Sequence, residues 1–332
     1  MAETIVYAIL LPMAVAASVV YSVGRQSLPR YLKPAVLSLA ITAAITASWM
    51  MLPQHPPWIP KQHWHWIPAI AWLMTALSPL MSLGAASRAI QRSTDTASAL
   101  VDPSHTDRQP IHSEDPPTAN LASFRPTVRA SLIPAVVTVT VIFLAATVAA
   151  WMLVPLWKSL QPPRIIWLPC LAGYLFLLGT AASCALNNTG TTTLTFASMT
   201  IAAAVTAILI AMFVSVTYAS FAAPAASALA GCWLAVWRKP DLREHARGAA
   251  LGYAVLIGGW AFIGCIEPRL PVWWLLAIPW SGVGAAVFEL RSFGAHAATP
   301  RSIWTRIAIT FGLQIIIIGV VIYGLFSTIA HP

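Results

Sequence analysis

Ten apolar stretches, each about the length of a bilayer-crossing helix, restrict this chain to one broad kind of fold. They run at about 5–22, 34–52, 66–86, 131–154, 165–186, 194–216, 219–237, 248–266, 272–289 and 307–328. Roughly 20 apolar residues cross a hydrocarbon layer of ~30 Å as a helix. Lipid offers no hydrogen bonds, so each span has to satisfy its own backbone, and the stretches are too long and too uniformly apolar to be barrel strands. Only 9% of the 332 residues are charged, against about 25% in a soluble domain. The expected fold is all-α: a polytopic integral membrane bundle of about ten transmembrane helices. A short polar gap at Thr217–Ser220 separates the sixth and seventh stretches and leaves nine or eleven spans open.

The first stretch reads as a true span rather than a removable signal, because its only early charge is Glu3 and it lacks a basic leader. Basic residues then orient the bundle, since Lys and Arg collect in cytoplasmic loops. Fifteen of the 19 Lys and Arg residues fall on one side of a ten-span arrangement; Lys61, Lys158, Arg164 and Arg269 fall on the other. Both termini are therefore predicted on the non-cytoplasmic side. The net charge of +9 is explained by topology and anionic lipid, with no nucleic-acid partner needed. Unpaired cysteines within the spans and the lack of secretory-domain features point to a bacterial plasma (inner) membrane. Three regions are expected: helices 1–3 within 1–86, a disordered cytoplasmic linker at 87–130 rich in Ser, Thr, Asp and Pro, and helices 4–10 within 131–332.

An internal repeat adds detail. Residues 34–73 and 134–175 both begin Pro-Ala-Val and reach Trp-Met near the end of the first helix (Trp49-Met50, Trp151-Met152). Both continue through Gln, Pro-Pro and a cation to Trp66-Ile67-Pro68 and Trp167-Leu168-Pro169. A weaker third copy runs from Trp260 through Arg269 to Trp273-Trp274. These are parallel helical-hairpin repeats, each starting from the cytoplasmic side. Pro68 and Pro169 are expected in the first turn of an inward helix, where a missing N–H costs nothing. The preceding tryptophans are expected at headgroup depth.

Chemistry is harder to find. His63 and His65 alternate with Trp64 and Trp66, and with His55 they are weak metal candidates, but no outer cysteine or carboxylate cluster completes a ligand set. The repeat weakens the metal reading further, because the sister hairpin has Arg164 and Ile166 where the first has the two histidines. No His lies in a span core, which argues against b-type haem, and no cofactor is expected. All ten Asp and Glu lie outside span centres, so proton relays and intramembrane proteolysis lack their residues. The four cysteines form no CxxC pair and read as small apolar residues.

Three polar features are left. Lys61, Arg164 and Arg269, one per repeat, each shortly precede an interfacial Trp; with Trp66, Trp167 and Trp274 they form a candidate anion or headgroup patch, since Arg forks suit oxyanions. Asn187–Thr193 reads as a tight turn with polar helix caps. Gly248 and Gly252, followed by Gly258, Gly259 and Gly264, favour close helix packing. Tryptophans are also uneven: Trp49, Trp58, Trp64, Trp66, Trp151, Trp157, Trp167, Trp273 and Trp274 are assigned to the outer face, and Trp233, Trp237 and Trp304 to the inner. Two function classes follow. The first is a non-enzymatic subunit or scaffold of a membrane assembly. The second is a permease or lipid-handling protein for a neutral or anionic amphiphile, with membrane lipids as partners. An enzyme at the outer loops would have to use His63, His65 and Glu267.

Overall fold

A computed structural model describes residues 2–23, 28, 32–52, 62–81, 125–157, 160–186, 192–238, 242, 246–267, 272–284 and 301–330. His55, Lys61, Arg269, the turn at 187–191, the end of the third stretch (82–86) and residues 87–124 of the linker region lie outside them. The helices are α1 (Val6–Val23), α2 (Lys33–Met51), α3 (Ile67–Leu77, entered through a 3₁₀ turn at His63–Trp66), α4 (Arg125–Leu153) and α5 (Arg164–Leu186). They continue as α6 (Thr192–Phe213), α7 (Val216–Arg238), α8 (Gly248–Ile266), α9 (residues 273–284, opening as a 3₁₀ turn) and α10 (Arg301–Ala330). Seven contain an apolar segment long enough to cross a membrane; the apolar part of α2, Ala35–Met51, is shorter, and α3 and α9 are shorter in their described parts. The break at Val214–Ser215 separates α6 from α7.

Helix α8 is the axis of the bundle. Every residue of Gly248–Ile266 is buried, and α2, α3, α4, α5, α6, α7 and α9 all pack against it. Lipid gives helices no hydrophobic reason to associate, so close van der Waals packing has to hold them. The glycines of α8 permit that. A Cβ on Gly258 would lie 2.9 Å from Leu175 Cδ2, and one on Gly259 would lie 2.9 Å from Leu153 Cδ1. The notched side is filled with bulk elsewhere: Trp260 is 1% exposed and belongs to an aromatic group with Trp49, Trp64 and Phe221. Trp49 and Trp64 are therefore core residues, not part of an outer belt. Neither hydropathy nor the repeat reveals this, because the partner Phe221 comes from α7.

Helix α1 is held by a seam of small residues. Ala8, Pro12, Ala16 and Val20 recur every fourth residue and are buried. On α7 the matching stripe is Ser227, Gly231 and Ala235, also four apart. Pro12 cannot donate to the carbonyl of Ala8, and Ser227 Oγ donates to it instead at 3.3 Å. One residue earlier, Ser48 Oγ of α2 donates to the Tyr7 carbonyl at 2.5 Å in the π-helical turn Val6–Leu10. Neighbouring hydroxyls thus satisfy backbone groups where α1 departs from regular geometry.

Polar side chains fasten the other end of the chain. Tyr174 and Tyr253 donate to the carbonyls of Leu276 (2.9 Å) and Pro279 (2.6 Å), clamping α9 against α5 and α8. Gln314 of α10 donates through Nε2 to the Ser198 carbonyl at 2.8 Å, and its Oε1 lies 3.1 Å from Ser198 Oγ. Pro68 occupies the first turn of α3 as expected. Pro169 does not occupy a first turn: α5 begins at Arg164, which places this proline inside the helix.

Candidate functional site

Five chain segments meet at one end of the bundle and enclose a cleft of about 690 Å³. The 3₁₀ turn before α3 supplies Gln62, His63 and Trp66. The end of α4 and the following residues supply Trp151, Met152 and Val154–Trp157. The start of α5 supplies Arg164, the start of α7 Tyr218, and the end of α8 Glu267. This volume falls within the ~300–1,000 Å³ range of small-molecule sites.

The 3₁₀ turn sets the first wall. His65 Nδ1 accepts from the Gln62 backbone N–H at 3.3 Å, and Trp64 Nε1 donates to the Gln62 side chain. The two histidines are thereby sent apart. His65 lies against Trp64, with ring centroids 4.1 Å apart. His63 turns inward, with its ring edge-on to Trp157 at 5.2 Å and Nε2 at 3.3 Å from Glu267 Oε1. Nε2 does not complete a hydrogen bond there. Among the described residues no group of three His, Cys, Asp or Glu is placed to hold a metal ion.

Burial acts on both members of this contact. His63 is 8% exposed, and burial, reinforced by the nearby His65, lowers its pKa to about 4. Burial also raises the Glu267 carboxyl above its ordinary value, and a hydrogen bond from Tyr218 partly offsets the rise. The two groups meet as a neutral imidazole and a reluctant carboxylate, not as a strong ion pair. A His depressed in the fold is protonated in the unfolded chain first. Stability contributed by neutral His63 is therefore fully present above pH ~6.5 and falls as pH drops toward 4, by up to about 3 kcal/mol. Raised Glu267 works in the opposite sense, favouring the fold as it takes up its proton. In a pH series of thermal unfolding midpoints, His63→Gln should lose less stability than wild type between pH 6.5 and 4. Parallel curves would contradict the assignment of His63.

Arg164 forms the second wall. Its Nη2 donates to the Trp151 carbonyl at 3.1 Å, and its guanidinium lies 4.7 Å over the Trp151 ring. Its Nε is buried with no hydrogen-bond partner. Trp151 and Leu156, at the rim, are 63% and 80% exposed. Of the residues in the proposed headgroup patch, the cleft joins Arg164 with Trp66. Trp167 lies one turn into α5 and is buried, stacked on Trp273 at 4.9 Å and edge-on to Phe262. Trp274 packs beside Gly324 of α10. Tyr218, Trp151 and Trp157 were not singled out as site residues from sequence. The available signal was Glu267, one of only two carboxylates predicted on the outer side, together with His63.

Fold and composition define the class: the chain is an all-α, polytopic membrane protein with a cleft of mixed apolar and charged lining at one end of its bundle. No protein-family model, curated protein or solved structure matches it.

Proposed function

We propose that the chain is a lipid-handling protein that holds the headgroup of an amphiphile in the cleft between Arg164, His63, Tyr218 and Glu267. The single observation that carries this reading is the cleft itself, which gathers a cation, a carboxylate and several aromatic rings from five separate segments. Its rim continues onto the exposed apolar residues Trp151, Val148 and Leu144 of α4, a surface suited to an acyl chain. The distribution of basic residues supports an outward-facing cleft on the plasma membrane, with both termini on the same side.

Retention or presentation of the amphiphile fits the architecture better than passage through it. Trp260, Tyr253 and Phe262 fill the centre of the bundle, and the cleft lining comes from helix ends. The competing reading, a scaffold within a membrane assembly, needs no such cleft.

The test is lipid retention. Wild-type protein and Arg164→Gln are extracted in mild detergent and titrated with lipid under native mass spectrometry. Hydrogen bonds to charged groups contribute about 1.5–3 kcal/mol, so the variant should bind about tenfold to a hundredfold more weakly. Equal binding by the two proteins would remove the cleft from lipid handling.

A further inference from the structure

Among the described residues the cleft is lined by one arginine, Arg164, and one carboxylate, Glu267, and they form no ion pair with each other. Arg164 points one of its five N–H groups at the Trp151 carbonyl, while its Nε–H is buried without a partner. Among the described residues it forms no ion pair. Glu267 lies beside His63, and Tyr218 lines the same cleft. The rings of Trp66, Trp157 and Tyr218 line the same space.

We infer that the ligand headgroup is zwitterionic, with a phosphate held by Arg164 and an ammonium held by Glu267 among these aromatic rings. This rests on the lipid-handling reading and names the chemical class of its ligand: phosphoethanolamine or phosphocholine. Arg presents a fork that matches phosphate oxygens. An ammonium is attracted to Trp and Tyr faces, and more so where water is excluded. A purely anionic headgroup would meet the Glu267 carboxylate. A purely cationic one would meet Arg164. An uncharged sugar would give neither charged group its counterpart. A zwitterion supplies a counterpart to both Arg164 and Glu267.

The experiment uses the full-length protein in detergent and three short-chain probes: dihexanoylphosphatidylethanolamine, its N-acetylated form and dihexanoylphosphatidylglycerol. The first should bind at least about tenfold more tightly than the other two, Glu267→Gln should erase that preference, and Arg164→Gln should weaken all three. The N-acetylated probe removes the positive charge from the ligand instead of altering the protein, so the comparison holds even if Glu267→Gln fails to fold. Equal binding of the three probes by wild type, still dependent on Arg164, overturns the zwitterion and leaves the lipid-handling reading standing. No binding of any probe, with no effect of Arg164→Gln, overturns both. Soluble glycerophosphoethanolamine is the remaining arm. If it binds as tightly as the lipid with the same dependence on Glu267, the zwitterion stands and its source is a free metabolite. If it does not bind, the source is a lipid.

Discussion

Gly231→Val is expected to leave little folded protein after detergent extraction. Even a single carbon at position 231 would overlap the Met13 backbone carbonyl, and it would lie 3.0 Å from Ala16 Cβ and 3.2 Å from the Ala17 backbone nitrogen. Two of those atoms are backbone, so no side-chain rotation relieves the contact, and α1 has to move off α7. Overpacking typically costs ~1–3 kcal/mol when side chains can adjust, and here the adjusting part is a whole helix. Displacement also withdraws Ser227 from the Ala8 carbonyl, to which Pro12 has no N–H to donate. Gly173→Ala is the matched control, since a Cβ there meets nothing within 4 Å. Size-exclusion profiles and thermal midpoints decide the matter: a monodisperse Gly231→Val protein with an unchanged midpoint would show that α1 does not sit on α7 in this way.

Trp260→Ala should be nearly as damaging by the opposite route. The side chain is 1% exposed at the centre of the buried helix, with Trp49 at 6.4 Å. Truncating a buried Trp costs about 3–5 kcal/mol, much of it from the cavity left behind. In a membrane the packing contribution matters more, because apolar surface gains little by leaving lipid. Trp273→Ala is the comparison, as that ring is 50% exposed, and it should cost far less. Reversible unfolding of the two variants in mixed micelles would give the ratio. Similar losses for both would mean that α8 is not the packed axis.

Both predictions depend on features that a linear reading of the sequence did not reach. Hydropathy located the apolar segments well, because every bilayer-spanning helix has to carry its own run of apolar residues. It did not identify α8 as the axis, since lipid-facing and helix-facing positions are equally apolar. The stripe Ser227, Gly231 and Ala235 was present in the sequence, but small residues four apart are common in membrane helices, and only the facing stripe on α1 gives this one meaning. Repeat logic pairs Trp66 with Trp167, yet Trp66 lines the cleft and Trp167 is buried against Phe262 and Trp273. Local sequence similarity therefore says little here about which face a ring turns to its neighbours.

The candidate site was readable in part for a related reason. Arg164 and Trp66 stood out as a charge and a ring at a span boundary, and His63 and Glu267 as rare polar groups on the predicted outer side. Their meeting in one cleft is a tertiary fact, created by α3, α5, α7 and α8 ending at the same level. Tyr218 carried no signal alone, being one Tyr at the start of an apolar helix. It acquires a role only because Glu267 lies within reach of its hydroxyl.

The most direct measurement is a cryo-EM map of the full-length chain in a nanodisc made from bacterial lipid. Headgroup density is expected in the cleft, touching Arg164 and approaching Glu267, with acyl-chain density running along Val148 and Leu144 of α4. A cleft holding no lipid density, in a map that resolves lipid elsewhere around the bundle, would contradict the lipid-handling reading.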